Sequence, residues 1–312
     1  MDEKQGISIK SDLKVSGTKN QTGNYDTWLM NRGLSVNTRD AYRQDINSFS
    51  QWFWEVNGQE LTPDLITGVD LRAYRAWEVE EMQVKPATWN RRRSSLATFC
   101  EWAQEAGYLN YNPFQDIEPM DEVDLPPRWL EKKEFQAFIR QVELDVNTAK
   151  TDYGRWQAIR DQGMICLMVY AGLREGEVVA LMTQDVEISE RKGRVIVKNG
   201  KGEKRREVPL NKEARRALSL WLNEHYGGYL FISHHGGDLS TRSVQRRVEE
   251  IGREAGIEVT PHDLRHTFAK RMLDAGVPLT TISKLLGHAR LETTKRYVQP
   301  GWGDFERAVE KI

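Results

Sequence analysis

The stretch TPHDLRHTFA, residues 260–269, sets two histidines and an arginine within five positions of a chain that holds six histidines in 312 residues. Thr260 suits a helix N-cap, Pro261 the first helical position, and Asp263 the partner of a capping box. His262 then falls in the first turn, where unpaired backbone N–H groups and the helix dipole favour an anion and a neutral imidazole. Three chemistries fit such a cluster. The His-x-x-x-His spacing of 262 and 266 could hold zinc. Against it, the residue after the first histidine is Asp263 where a metalloprotease needs glutamate, and Arg265 would repel a cation, so no metal is expected. Both histidines could instead be polar filler beside the apolar stripe of Leu264, Phe268 and Met272. A neutral histidine next to a guanidinium fork could also grip a tetrahedral oxyanion, provided that other phosphate ligands converge on it.

Candidates for those ligands lie elsewhere in the chain. YAGLREGEVVAL, residues 170–181, ends an apolar helix at Gly172 and puts Arg174 at a turn before the next helix. Glu177, three residues on, is spaced to pair with that arginine. LLGHARLETTKRYVQ, residues 285–299, closes a helix at Gly287, exposes His288 and presents Tyr297 nine residues later. Lys201 stands on a glycine-flanked hairpin tip, with Lys204 as its rival.

In the order Arg, Lys, His-x-x-Arg, His, Tyr the chain resembles the tyrosine recombinase (phage integrase) family. The stretches that carry the resemblance are AGLREGEV, KNGKGEKRREVPL, HDLRHTFA, LLGHA and TTKRYVQ, and it extends over nearly all of residues 20–300. SVNTRDAYRQDINSFSQWFW and GYLNYNPF are similar to the family's helical core-binding domain. The resemblance implies that Tyr297 attacks a DNA phosphate to give a 3′-phosphotyrosyl link and a free 5′-hydroxyl, with no cofactor. By the same resemblance Arg174 and Arg265 would hold the non-bridging oxygens, and Lys201 would protonate the departing 5′-oxygen. His262 would accept the tyrosyl proton or bond the phosphate, His288 would donate to a non-bridging oxygen, and Glu177 would steady Arg174. His266 is left to packing. The implied partners are double-stranded DNA with inverted-repeat core sites and three further copies of the chain in a tetramer. The apolar tail after Tyr297 would dock on a neighbour or fold back on its own domain. The arrangement is closest to the two-domain, Xer-like members. A catalytically silent accessory protein and a type IB topoisomerase-like relaxing enzyme are the alternatives on the same fold.

The elements that must position these groups can be read from periodicity. Residues 1–19 are polar and aperiodic, a flexible tail. Residues 20–112 read as a helical DNA-binding unit, with Tyr42, Ile46, Phe49, Phe53 and Val56 at helical spacing, a short helix opened by Pro63–Asp64, another over Val69–Met82 and a fourth ending at Gly107. Residues 113–128 hold four of the ten prolines and form a linker. Residues 129–312 read as the catalytic domain. In it GRVIVKNGKGEKRREVPL makes a β-hairpin, YLFIS a strand or extended piece, and the rest helices. The fold class is thus mainly α with a small antiparallel β-sheet in the C-terminal domain.

Composition limits the partners. No apolar run approaches the roughly 18–20 residues that cross a bilayer, the N-terminus lacks a secretory layout, and Cys100 and Cys166 lie in apolar helical contexts, so a cytoplasmic protein is expected. The net charge of −1 conceals a gradient: residues 20–112 sum to −3, residues 113–127 to −5, and residues 128–312 to +6. Local fields of this kind, not the sum, decide polyanion binding. Candidate DNA contacts are Arg91, Arg92 and Arg93, which cover more than one helix face; the cluster Lys204, Arg205 and Arg206; and Arg242, Arg246 and Arg247 on a helix able to enter a major groove.

Overall fold

The computed structural model describes residues 19–114, 117–122, 127–198, 205–225, 227–234, 236–288, 294, 297 and 309–310. The chain folds as two compact units, Met1–Asp124 and Leu125–Ile312, which divide within the proline-bearing 113–128 stretch.

The first unit is helical throughout. It comprises α1 (Lys19–Asn31), α2 (Val36–Asn57), a 3-10 turn at Pro63–Leu65, α3 (Gly68–Ala76) continued by a π turn at Trp77–Glu81, and α4 (Pro86–Glu105). Each start has a local cause. Ser35 accepts from the Thr38 N–H at 3.1 Å to open α2, Thr67 and Asp70 form a capping box on α3, and Pro86 occupies the first turn of α4. The core is aromatic: Phe49, Phe53, Tyr74, Trp89, Phe99 and Trp102 are all buried. Helix α1 was not among the expected elements, because only Tyr25 and Leu29 of its described side chains turn inward. The single helix expected over Val69–Met82 breaks its α geometry at Trp77, where the π turn buries Glu78.

The three adjacent arginines of α4 each have a partner within the unit. Arg91 donates to buried Asp45 at 2.5 Å, Arg92 pairs with Glu78, and Arg93 donates to the Ile117 carbonyl at 2.5 Å. A buried carboxylate left without a partner costs several kcal/mol, so these side chains are engaged inside the unit. Only Arg91 remains about half exposed.

The second unit is built around α6 (Asp152–Ala171), buried along most of its length and apolar on every side from Met164 onward. Around it lie α5 (Lys132–Thr148), α7 (Glu175–Ala180), α8 (Lys212–Glu224), α9 (Thr241–Glu254), α10 (Pro261–Asp274) and α11 (Leu279–Leu286). Three strands, β1 (Val186–Ile188), β2 (Gly193–Val197) and β3 (Arg206–Pro209), form an antiparallel sheet in the order β1-β2-β3. The expected hairpin is β2–β3, with Val195 opposite Val208 and Val197 opposite Arg206. Its tip, residues 199–204, lies outside the described residues. β1 was not anticipated, and YLFIS makes isolated bridges (Met182 with Tyr229, Ile232 with Asp238) instead of a strand.

Two glycines end the helices that face the site. Gly172 stops α6 at φ +67°, and a Cβ there would lie 2.5 Å from Phe268 and 2.9 Å from Leu286. A left-handed backbone costs an L-residue roughly 1–2 kcal/mol and overpacking a further 1–3 kcal/mol. Gly172→Ala is therefore expected to lower the stability of the second unit by roughly 2–5 kcal/mol. In contrast Gly176→Ala, on α7 with nothing within 4 Å of the new methyl, is expected to be neutral or slightly stabilising. Denaturant unfolding of both variants checks the pair, and equal costs would contradict the packing described.

Candidate active site

Arg265 lies one turn into α10, whose start is fixed by Thr260: its N–H donates to Asp263 at 2.8 Å and its hydroxyl accepts from the Asp263 N–H. From there the guanidinium runs inward and is 1% exposed. It donates to the Gly172 carbonyl, at the end of α6, and to the Leu286 carbonyl, at the end of α11, the latter at 2.7 Å. Both acceptors are terminal carbonyls with no partner in their own helix, at the negative end of the dipole. Burial first, and then the nearby Arg174, draw the Arg265 pKa down to about 10, so the group stays cationic at neutral pH.

Arg174 begins α7. Its N–H donates to Glu177 Oε2 at 2.9 Å and its Nη1 to Glu177 Oε1 at 3.1 Å, while the guanidinium remains 39% exposed. Glu177 is the hub of the arginines. Arg206 approaches it as a fork, Nη1 to Oε1 at 2.8 Å and Nη2 to Oε2 at 2.7 Å, and Arg265 stands 3.8 Å away. Burial alone would raise the Glu177 pKa. The Arg206 fork, the Arg174 N–H and the charges of Arg206 and Arg265 outweigh it and hold the carboxyl below its ordinary range.

The histidines are driven the other way. Burial lowers the His262 pKa against the pull of Glu175 and Asp263, and Arg265 and Arg174 add to the lowering. At His288 burial acts together with Arg265, Arg174, Arg206 and His262, and the pKa falls to about 4. Its Nδ1 is bonded to Thr294 Oγ1 at 2.8 Å. Both rings are thus neutral in a strongly cationic field.

Tyr297 is 2% exposed, packed against Phe268, Ala269, Ile282 and Leu286. Its hydroxyl lies 2.6 Å from His266 Nδ1, and the His266 ring stands edge-on to His262 with centroids 4.2 Å apart. His266 is buried, as the expectation of packing has it, and adds to that a polar contact with Tyr297. Its position four residues after His262 put it one turn further along the same side of α10, and that spacing was the signal available in the sequence.

The structure therefore gathers Arg174, Glu177, His262, Arg265, His288 and Tyr297 around the ends of α6 and α11. Lys201 and Lys204 lie outside the described residues. Among the described residues no group of three or more His, Cys, Asp or Glu is arranged to hold a metal ion, and no helix is long and apolar enough to cross a membrane.

The outlying arginines divide. Arg206 is 9% exposed and committed to Glu177 and to the Leu285 carbonyl at 2.9 Å, an inward role in place of the DNA contact expected of it. The alternation of RREVP held the clue, since Arg206 shares a face with buried Val208 while Arg205 and Glu207 point outward. Arg247 is likewise drawn in, to Asp161 and Glu250, both at 2.7 Å. Arg205, Arg242 and Arg246 are exposed. The last two line an open groove on α9 with Ser240, Ser243, Gln245 and Glu249.

Residues 128–301 match the phage integrase family and residues 24–107 its N-terminal SAM-like domain. The chain belongs to the phage integrase family. Relatives within it include the tyrosine recombinase XerD of Ralstonia nicotianae, 32% identical over 86% of this chain and 85% of the relative. The tyrosine recombinase XerC of Chromohalobacter salexigens is 32% identical over 88% and 89%. Among solved structures, XerH in a post-cleavage complex with palindromic difH substrate aligns over 89% of this chain and 80% of that one, with a TM-score of 0.71 and 21% identity. A lambda integrase dimer bound to a core site aligns over 88% and 93%, with a TM-score of 0.67 and 19% identity. Those two likenesses concern the fold.

The depressed histidines are directly measurable. In an NMR titration of the free protein, His262 should protonate below the ordinary imidazole value of about 6.5 and His288 near pH 4. A midpoint at or above 6.5 for either would contradict the enclosure and the field described.

Proposed function

We propose that the groups gathered around Arg265 are the active site of a tyrosine site-specific recombinase, which breaks and rejoins DNA through a 3′-phosphotyrosyl intermediate. The observation that carries the reading is the meeting of Arg174 and Arg265 on one carboxylate, with neutral histidines and the Tyr297 phenol in the same field. An array of fixed cations with no charge spent on imidazolium suits a phosphorane dianion, and such preorganised charge is usually the largest catalytic contribution.

In this reading Tyr297 attacks the scissile phosphorus, the bond to the 5′-oxygen breaks, and the energy of the ester is kept for rejoining. Arg174 and Arg265 hold the non-bridging oxygens. The Tyr297 hydroxyl lies 2.6 Å from His266 Nδ1, to which we assign acceptance of the tyrosyl proton, leaving His262 to bond the phosphate. His288 donates from Nε2, its Nδ1 being occupied by Thr294. Lys201 is assigned to protonate the departing 5′-oxygen, which leaves as the free hydroxyl, a role worth on the order of 10²–10⁴ in rate.

The first unit serves as the core-binding domain, and the exposed Arg205, Arg242 and Arg246 are the contacts we assign to DNA outside the site, with Arg91 in support. The relatives named as tyrosine recombinases support the recombinase reading, and to it we add a tetramer acting on inverted-repeat core sites, in the cytoplasm. Exchange of the tail after Tyr297 between protomers belongs to the same proposal.

Nicked duplexes tiling the DNA that flanks the gene should yield an SDS-stable protein–DNA adduct on the one that carries the site. On that duplex Tyr297→Phe should bind within about 2-fold of the wild-type affinity and give no adduct. Adduct formation by Tyr297→Phe refutes the nucleophile. Because the lowered pKa values keep His262 and His288 neutral until the medium is acid, neither ring should impose a decline in the cleavage rate between pH 8 and about 6.5. A decline within that range that is abolished by His262→Gln or His288→Gln would contradict those assignments.

A further inference from the structure

Three guanidinium groups surround Glu177, and they do not share it equally. Arg206 takes both oxygens, in the fork geometry that makes arginine–carboxylate pairs strong. Arg174 has one side-chain contact at 3.1 Å, and Arg265 is held off at 3.8 Å. We propose that Arg206 is a positioning residue of the active site: by saturating Glu177 it keeps Arg174 and Arg265 from being captured by that carboxylate, so that their charge is free for the scissile phosphate.

The placement of Arg206 fits the task. It opens β3, opposite Val197. Its Nε donates to the Leu285 carbonyl at 2.9 Å, next to the Leu286 carbonyl used by Arg265. It also fills the space where a side chain on Gly287 would stand, 2.9 Å from Nη1 and 3.1 Å from Cδ. One guanidinium thus ties β3 to the start of α7 and the end of α11, beside Arg174 and His288.

The physical consequence of removing it is specific. Glu177 would stay buried and ionised with two charge-assisted bonds missing, a costly state. The cations able to satisfy it are Arg174 and Arg265. Movement of Arg174 inward by an ångström would take its charge from the substrate, and misplacements of that size cost on the order of 10²-fold in rate. Lysine cannot substitute fully, because a point ammonium lacks the planar fork and cannot reach Leu285 as well.

The inference rests on the assignment of Arg174 and Arg265 to the phosphate, and the test separates the two. Single-turnover cleavage of the nicked duplex identified above is measured at saturating protein, with DNA affinity and thermal unfolding measured in parallel. Arg206→Met is expected to cut slower by about 100-fold and Arg206→Lys by about 10-fold, with duplex affinity within about 2-fold of wild type. The discriminating variant is Arg206→Met with Glu177→Gln. Neutralising the carboxylate removes the trap, so the double variant should cut about 10-fold faster than Arg206→Met alone, a gain that a purely architectural role would not give.

A double variant no faster than Arg206→Met overturns the inference, as does wild-type cleavage by Arg206→Met or a loss explained by weakened folding or DNA binding. Should Arg206→Met not fold, Arg206→Lys decides: the 10-fold loss in a folded protein supports the inference and full activity overturns it. Failure of the underlying reading has a different signature, since Arg265→Ala would then cleave normally while folded and bound.

Discussion

Arg265 takes its charge into the interior of the second unit, to a depth where an unpaired guanidinium would cost several kcal/mol. What makes the position tenable is the pair of carbonyls that meets it, from Gly172 and Leu286, each the orphan end of a helix. The bond is reciprocal. The helix ends need a donor, the cation needs acceptors, and between them they fix where α6 and α11 stop relative to α10. Arg174 follows from the first of those ends and His288 from the second, so one buried side chain sets the frame in which the proposed phosphate ligands are held.

Electrostatics within that frame are asymmetric by construction. Glu177 is bonded by Arg174 and Arg206 with Arg265 close by, and His262 and His288 are both pushed towards the neutral form. The surplus positive charge is a cost to folding that a bound phosphate would relieve. Sites of this kind trade some stability for complementarity to the transition state. The first unit uses its charges in the opposite way, with Asp45 and Glu78 buried against Arg91 and Arg92, so that ionic groups there knit α2, the π turn and α4 together.

Much of this arrangement could be read from residue order. The cap at Thr260, the stops at Gly172 and Gly287 and the alternation of the β2–β3 hairpin are local signals, and local signals survive folding. The sequence pattern also singled out Arg174, Glu177, His262, Arg265, His288 and Tyr297 as one set. Less was visible where a side chain's employment depends on a distant partner. Arg206 counts as a surface charge until Glu177, 29 residues away, is seen beneath it. The same holds for Arg92 with Glu78 and Arg247 with Asp161. A run of bases reads as a binding face, and only tertiary pairing tells which members are already spoken for. Helix α1 and the π turn after Ala76 were missed for another reason: neither has an apolar period strong enough to announce itself.

The two glycines at the frame's corners carry no chemistry, yet the space beside each is filled by neighbours that do matter: Phe268 and Leu286 at one, the Arg206 guanidinium at the other. A census of substitutions tolerated along this chain would therefore place Gly172 and Gly287 among its most intolerant positions, alongside the reactive groups. Intolerance at such a site measures how closely the scaffold is fitted around the ligands, and an engineer altering this chain should leave both corners untouched.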